Sequence, residues 1–166
     1  MNGLLPSIDI RTARRADIPA IQNLLAQVDR LHWESQPDVF QETQGPARED
    51  AYLRGLITDW QTVVTVAEVG ADLVGCLIAR IQQTPEVAML VPQQYLMVDT
   101  LVVDEASRSC GVGNLLMAHI ETWAQARDIH RVELNVFEFN ALAQGFYEDL
   151  DYTTLSRRMV KQLGEE

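Results

Sequence analysis

With 166 residues, 47% of them apolar and 22% charged, the chain has the size and composition of one soluble globular domain over 1–166 with a sizeable core. Its formal net charge of −11 speaks against a nucleic-acid partner, which calls for a basic footprint, and favours cationic small molecules or basic proteins. No apolar run approaches the roughly 20 residues that span a bilayer, MNGLLPSIDI lacks the pattern of a secretory leader, and Cys76 and Cys110 match no zinc or disulfide spacing, so a cytoplasmic protein without a metal or a membrane is expected.

In chain order, SIDIRTA (7–13) reads as a short strand. Residues 16–32 carry Ile18, Ile21, Leu24, Leu25 and Val28 at helical spacing, with Asp17 as N-cap and Pro19 in the first turn. A polar connector (34–46) leads to a second helix (47–60). The runs 62–69 and 73–81 are β-rich, with a hairpin turn at GAD between them. A loop over 82–94 is long enough to suggest a role. YLMVDTLVV (95–103) is a strand, 111–128 a helix, 131–137 a strand and 140–150 a helix, and 152–163 supplies one or two last strands. Three consecutive strands before a β-α-β unit predict a mixed α/β sheet: an antiparallel meander joined to a right-handed parallel crossover.

The stretch RSCGVGNLLM (108–117) stands between a strand and a helix. A helix start offers unpaired N–H groups and the positive end of the helix dipole, which together suit a phosphate. Gly111 and Gly113 allow close approach, and Ser109 and Cys110 are small. No lysine completes a Walker A loop, and no third glycine follows Gly113 to complete a dinucleotide fingerprint. What remains is Arg-x-x-Gly-x-Gly, Arg108 to Gly113. Asp99 is the one charged residue of its strand, which asks for a role. His119 lies mid-helix, and Ile120 and Trp123 belong to that helix's apolar face.

This pattern resembles the signature of the GNAT superfamily of acyl-CoA-dependent N-acetyltransferases, Gln/Arg-x-x-Gly-x-Gly/Ala. VDTLVVDEASRSCGVGNLLM is similar to the family's cofactor strand, loop and helix, VELNVFEFNALAQGFYEDLDY to the strand and helix that follow, and IRTARRADIPAIQNLL to its opening. The resemblance implies the GNAT fold and acetyl-CoA as co-substrate. The loop Arg108, Ser109, Cys110, Gly111, Val112, Gly113 and Asn114 would hold the diphosphate, and the backbone of Leu101, Val102 and Val103 the pantetheine arm, which Asn140 also contacts. Tyr147 matches the family's proton donor to the departing thiolate, and Asp99 the acidic position of the spermidine/spermine acetyltransferases, as base or as pocket charge. Ser109 stands where many members have Gly, Asn114 where they have Lys or Arg, and Asp151 where a Gly suggests left-handed backbone. Dimerisation is common in the family, and apolar β-type residues near the C-terminus fit a homodimer.

The implied reaction is direct attack of a primary amine on acetyl-CoA, with no metal. The acceptor's specificity is placed in 29–46, near His32, and in 82–94. Asp29, Glu34, Asp38 and Glu42 favour a small cationic amine. The alternatives are a protein N-terminal or lysine acetyltransferase and a CoA-binding module without turnover.

Overall fold

Five strands, β1 (Ile8–Thr12), β2 (Thr62–Val69), β3 (Asp72–Gln83), β4 (Gln94–Val103) and β5 (Val132–Leu134), lie side by side in chain order. The first four pair antiparallel, and β4 pairs with β5 in parallel. The computed structural model describes residues 7–164. They form two compact units: one runs to Asn135 and holds the sheet with helices α1 (Ile18–Ser35), α2 (Asp50–Thr58) and α3 (Val112–Gln125), and the other starts at Val136 and holds α4 (Ala141–Glu148).

Strands β2 and β3 are near-continuous apolar runs because both faces of the sheet are covered. On one face Ile18, Ile21, Leu24 and Leu25 of α1 and Leu53 of α2 pack on Val64, Val66, Cys76, Ile78 and Val102. Each such fully buried side chain contributes about 1.5–3 kcal/mol. Alternation sends Gly75, Leu77 and Ala79 of β3 to the opposite face, where Val112 and Leu116 of α3 lie over Gly75. The hydroxyl of Thr65 is buried with no hydrogen-bond partner among the described residues.

Several boundaries differ from the sequence reading. The β3–β4 ladder extends through Gln82↔Tyr95 and Gln83↔Gln94, which shortens the loop expected over 82–94. Strand β5 is shorter than 131–137 because its pairing with β4 ends at Val98↔Leu134. Residues 152–164 form no strand, although their side chains are β-type: propensity becomes a strand only where a ladder forms. Asp17 is the N-cap residue of α1 as expected, but its side chain makes no cap bond to the helix. Its carboxylate instead takes the Arg11 guanidinium at 2.8 and 3.0 Å and the Arg14 N–H at 2.7 Å, and the Arg11 hydrogen bonds hold it below the usual carboxylate range.

Candidate active site

The ladder around β4 is uneven. Leu96, Met97 and Val98 pair with β5, but from Asp99 to Val103 β4 is laddered on its β3 side alone. The stretch containing Leu101, Val102 and Val103 thus borders an open strand edge in this unit, suited to an extended chain that hydrogen-bonds as a strand does. The opening begins at a β-bulge: Ala79 pairs with Val98 and Ile78 with Thr100, so Asp99 has no residue opposite. The bulge also resets the alternation. Leu96 and Val98 are buried on one side of it, whereas Val102 beyond it belongs to the α1/α2 core.

Asp99 meets Arg80, which alternation on β3 places on the same face as Cys76 and Ile78. The guanidinium donates from Nε at 2.6 Å and from Nη2 at 3.0 Å, one bond to each carboxylate oxygen. The Asp99 hydrogen bond raises the Arg80 pKa above its ordinary value. Sequence reading found Asp99 and missed Arg80; its signal was a lone basic residue within the apolar run LVGCLIARI.

From Val103 the chain enters the glycine loop. Asp104 accepts from the Ala106 N–H at 3.1 Å and from Gln27 Nε2 at 2.9 Å, while the Glu105 N–H donates to Gln27 Oε1 at 3.1 Å and Arg30 pairs with Glu105 at 2.8 Å. Helix α1 therefore fixes where the loop begins. Arg108 Nε reaches back to the Val103 carbonyl at 3.3 Å. Ser109 has φ +61° and Gly111 φ +82°, so two left-handed residues fold the loop over, and the first needs glycine's freedom without having it.

Gly111 is the N-cap of α3, with no side-chain cap bond and no acidic residue in the first turn. The N–H groups of Val112, Gly113 and Asn114 thus face outward at a positive helix end that no carboxylate of the turn offsets. The Val112 side chain is buried, so it offers only its backbone; Cys110 and Asn114 are exposed. Gly75 is the second feature that sequence reading passed over. A Cβ there would lie 2.9 Å from Val112 Cγ1 and 3.0 Å from Leu116 Cδ1, so the missing side chain lets the first turn of α3 rest on the sheet. An isolated glycine inside a strand pattern was its signal.

The acceptor-side candidates are spread differently. Asp29 is paired with Arg48, whereas Glu34, Asp38 and Glu42 are exposed. His32 Nδ1 lies 2.7 Å from the Val28 carbonyl, and its ring meets Phe40 edge-on. Trp123, read as core, is instead half-buried beneath the Arg127 guanidinium, 3.8 Å from the ring centre. Cys76 is buried, which pushes its thiol up to about 12. Among the described residues no group of three or more His, Cys, Asp and Glu is placed to hold a metal, and no helix is long and apolar enough to cross a membrane.

In the second unit Asn140 caps α4, its Oδ1 accepting from the Ala143 N–H at 3.1 Å, which leaves its amide donors for a ligand. Gln144 Nε2 ties the helix to the carbonyls of Phe137 and Glu138, both at 3.1 Å. Tyr147 lies edge-on between Phe146 and Tyr152, and burial pushes its hydroxyl up to about 12. Asp151, with φ +65°, has the left-handed backbone expected of it.

Residues 25–152 match the model of the acetyltransferase (GNAT) family. The chain belongs to that family. It is an acetyl-CoA-dependent N-acetyltransferase, and its sheet has the mixed GNAT topology. Among solved structures, a tetramutant of the BH1408 protein from Bacillus halodurans shares 24% identity at a TM-score of 0.89, over 93% of this chain and 99% of that one. An aminoglycoside acetyltransferase from an uncultured soil metagenomic sample, in complex with sisomicin, shares 14% at a TM-score of 0.69, over 96% and 97%. A ribosomal-protein-alanine N-acetyltransferase from Brucella melitensis biovar Abortus 2308 shares 20% at 0.67, over 95% and 100%. These likenesses are of fold. No curated protein sequence matches the chain. Two features of this acetyltransferase fit acetyl-CoA: an unoffset helix start behind a doubly left-handed loop suits a diphosphate, and an open strand edge suits an extended arm.

Proposed function

We propose that this acetyltransferase acetylates a small cationic primary amine by direct attack. The observation that carries the reading is the Asp99 carboxylate, delivered by a bulge to the point where the open edge of β4 begins. The net charge of −11 and the exposed Glu34, Asp38 and Glu42 favour the same class of acceptor by long-range attraction. An aminoglycoside acetyltransferase among the structural neighbours is compatible with it.

In this reading the backbone N–H groups of the loop from Arg108 to Asn114 hold the diphosphate, and the backbone of Leu101, Val102 and Val103 aligns the arm; Asn140 keeps the arm contact that the family resemblance implies for it. Acetyl-CoA bound there supplies the activated acetyl group. Asp99 receives the ammonium and takes its proton, directly or through a water, which frees the nitrogen lone pair. As the N–C bond forms and the C–S bond breaks, Tyr147, at the family's donor position, gives its proton to the departing sulfur, and the second proton shed by the acylated nitrogen passes through water to restore the phenol. Its raised pKa, about 12, keeps that proton in place throughout the neutral range.

A second reading, an N-terminal peptide acceptor, is favoured by one observation: Val87, Met89, Leu90 and Val91 are exposed in the β3–β4 loop, where they could meet apolar side chains. A thiol-release screen with acetyl-CoA separates the two. Diamines, polyamines or aminoglycosides should turn over, with an apparent KM that rises with salt as charges are screened beyond about 8–10 Å. Selectivity for the first residues of a peptide, with all small cationic amines inert, would contradict the proposal.

A further inference from the structure

Asp99 is not a bare carboxylate, and its partner has no part in the reaction described so far. Arg80 lies on the neighbouring strand and engages both carboxylate oxygens, at 2.6 and 3.0 Å. Exposed ion pairs are usually worth little, but a bidentate fork fixes the orientation of both partners. Here both are also held by backbone: Arg80 by its ladder pairing with Met97 and Thr62, Asp99 by the bulge. The other groups whose charge reaches Arg80 are Tyr52 on α2 and Asp59 in the turn after it. Asp59 already accepts from the Thr62 hydroxyl at 2.6 Å and the Gln61 N–H at 3.2 Å. Arg80 is therefore committed first to Asp99.

We propose that Arg80 is a positioning residue for acceptor deprotonation: it clamps the Asp99 carboxylate so that a defined lone pair meets the amine, and it offsets the negative charge that would otherwise trap the amine as an unreactive ammonium. The proposal rests on the reading of Asp99 as the group that meets the acceptor. A free carboxylate at a bulge can rotate and form a tight ion pair with any ammonium. The clamped one faces the amine in one geometry and binds it less tightly. The pair therefore exchanges ground-state affinity for rate, a trade that raises kcat at the expense of KM.

The test is steady-state kinetics on Arg80→Gln, Asp99→Asn and the double variant. Acetyl-CoA is used with whichever amine the thiol-release screen shows to turn over. Melting curves and acetyl-CoA affinity matching wild type establish that each variant is folded. Arg80→Gln should lower kcat at least tenfold and lower the amine KM, and Arg80→Lys, which keeps the charge but loses the fork, should fall between it and wild type. Adding Arg80→Gln to Asp99→Asn should change kcat by less than twofold, because the clamp acts only through the carboxylate. If Asp99→Asn impairs turnover while Arg80→Gln has wild-type kcat and KM, the clamp is overturned and the reading of Asp99 stands. If Asp99→Asn itself behaves as wild type, that reading fails and the clamp fails with it.

Discussion

The two regions proposed to hold the cofactor and the acceptor are built from different materials. The glycine loop and the start of α3 present backbone: outward N–H groups, two left-handed residues and a helix end with no side-chain cap. In the proposed reading the acceptor side presents side chains: the Arg80–Asp99 fork, the exposed acids of 34–42 and the apolar tip of the β3–β4 loop. Backbone recognition needs a fixed conformation and space, so in the proposed reading it would tolerate Ser109 and Asn114 in place of the family's commoner residues. Side-chain recognition depends on particular pairs, so a single substitution can redirect it. Substitutions on the cofactor side should therefore act through geometry and affinity, and those at the reacting groups through rate.

The largest effect tests that division at the leaving group. Tyr147→Phe keeps the ring between Phe146 and Tyr152 and removes only the hydroxyl. Turnover should fall roughly 100- to 10,000-fold with acetyl-CoA affinity unchanged, as kcat and binding titrations will read. A kcat within about twofold of wild type would leave Tyr147 a packing residue. The pH profile carries a sign as well. A hydroxyl pushed up to about 12 stays protonated as pH passes the ordinary tyrosine value near 10. Wild-type rate should thus rise with pH as the acceptor loses its proton and show no decline around pH 10.

A smaller effect is expected where the cofactor side meets the sheet. Gly75→Ala places a Cβ against Val112 and Leu116, and the stiff branched Val112 has to move with the first turn of α3. The overpacking should cost about 1–3 kcal/mol in denaturant unfolding and weaken acetyl-CoA binding, with the amine KM unchanged. Smaller still is Ser109→Gly, which removes the side chain from a left-handed residue. It should raise stability by up to about 1 kcal/mol without weakening the cofactor, because the loop's donors are backbone. Thr65→Val serves as a control in the core: Thr65 pairs with Leu77 and belongs to neither proposed binding region. Deleting a buried hydroxyl that has no partner among the described residues should stabilise the fold by about 1 kcal/mol and leave all kinetic constants alone.

The same division explains what the sequence made legible. Helical spacing in 16–32 and 111–128, and the uninterrupted apolar strands, follow from local periodicity, and the structure has them. The loop was legible because Arg108 to Gly113 encode a backbone shape, and the left-handed Asp151 was legible as a departure from glycine. The Arg80–Asp99 fork was not, because it depends on register: only the bulge that leaves Asp99 unpaired turns it toward Arg80. Asp29 read as an acceptor charge, yet a residue nineteen positions away neutralises it. The β-type residues of 152–163 could not declare themselves either, since a strand is a property of a pair.

Whether loop backbone rather than side-chain charge holds the cofactor is read by calorimetric titration of acetyl-CoA into Gly113→Val and Arg108→Ala, each shown to be folded by its melting curve. Gly113→Val puts a branched side chain in the first turn of α3, where the N–H groups face outward, and Arg108→Ala removes a cation already turned back toward the Val103 carbonyl. Affinity should fall at least tenfold, about 1.4 kcal/mol, in Gly113→Val and no more than about threefold in Arg108→Ala. Wild-type affinity in Gly113→Val, with binding abolished in Arg108→Ala, would contradict backbone recognition.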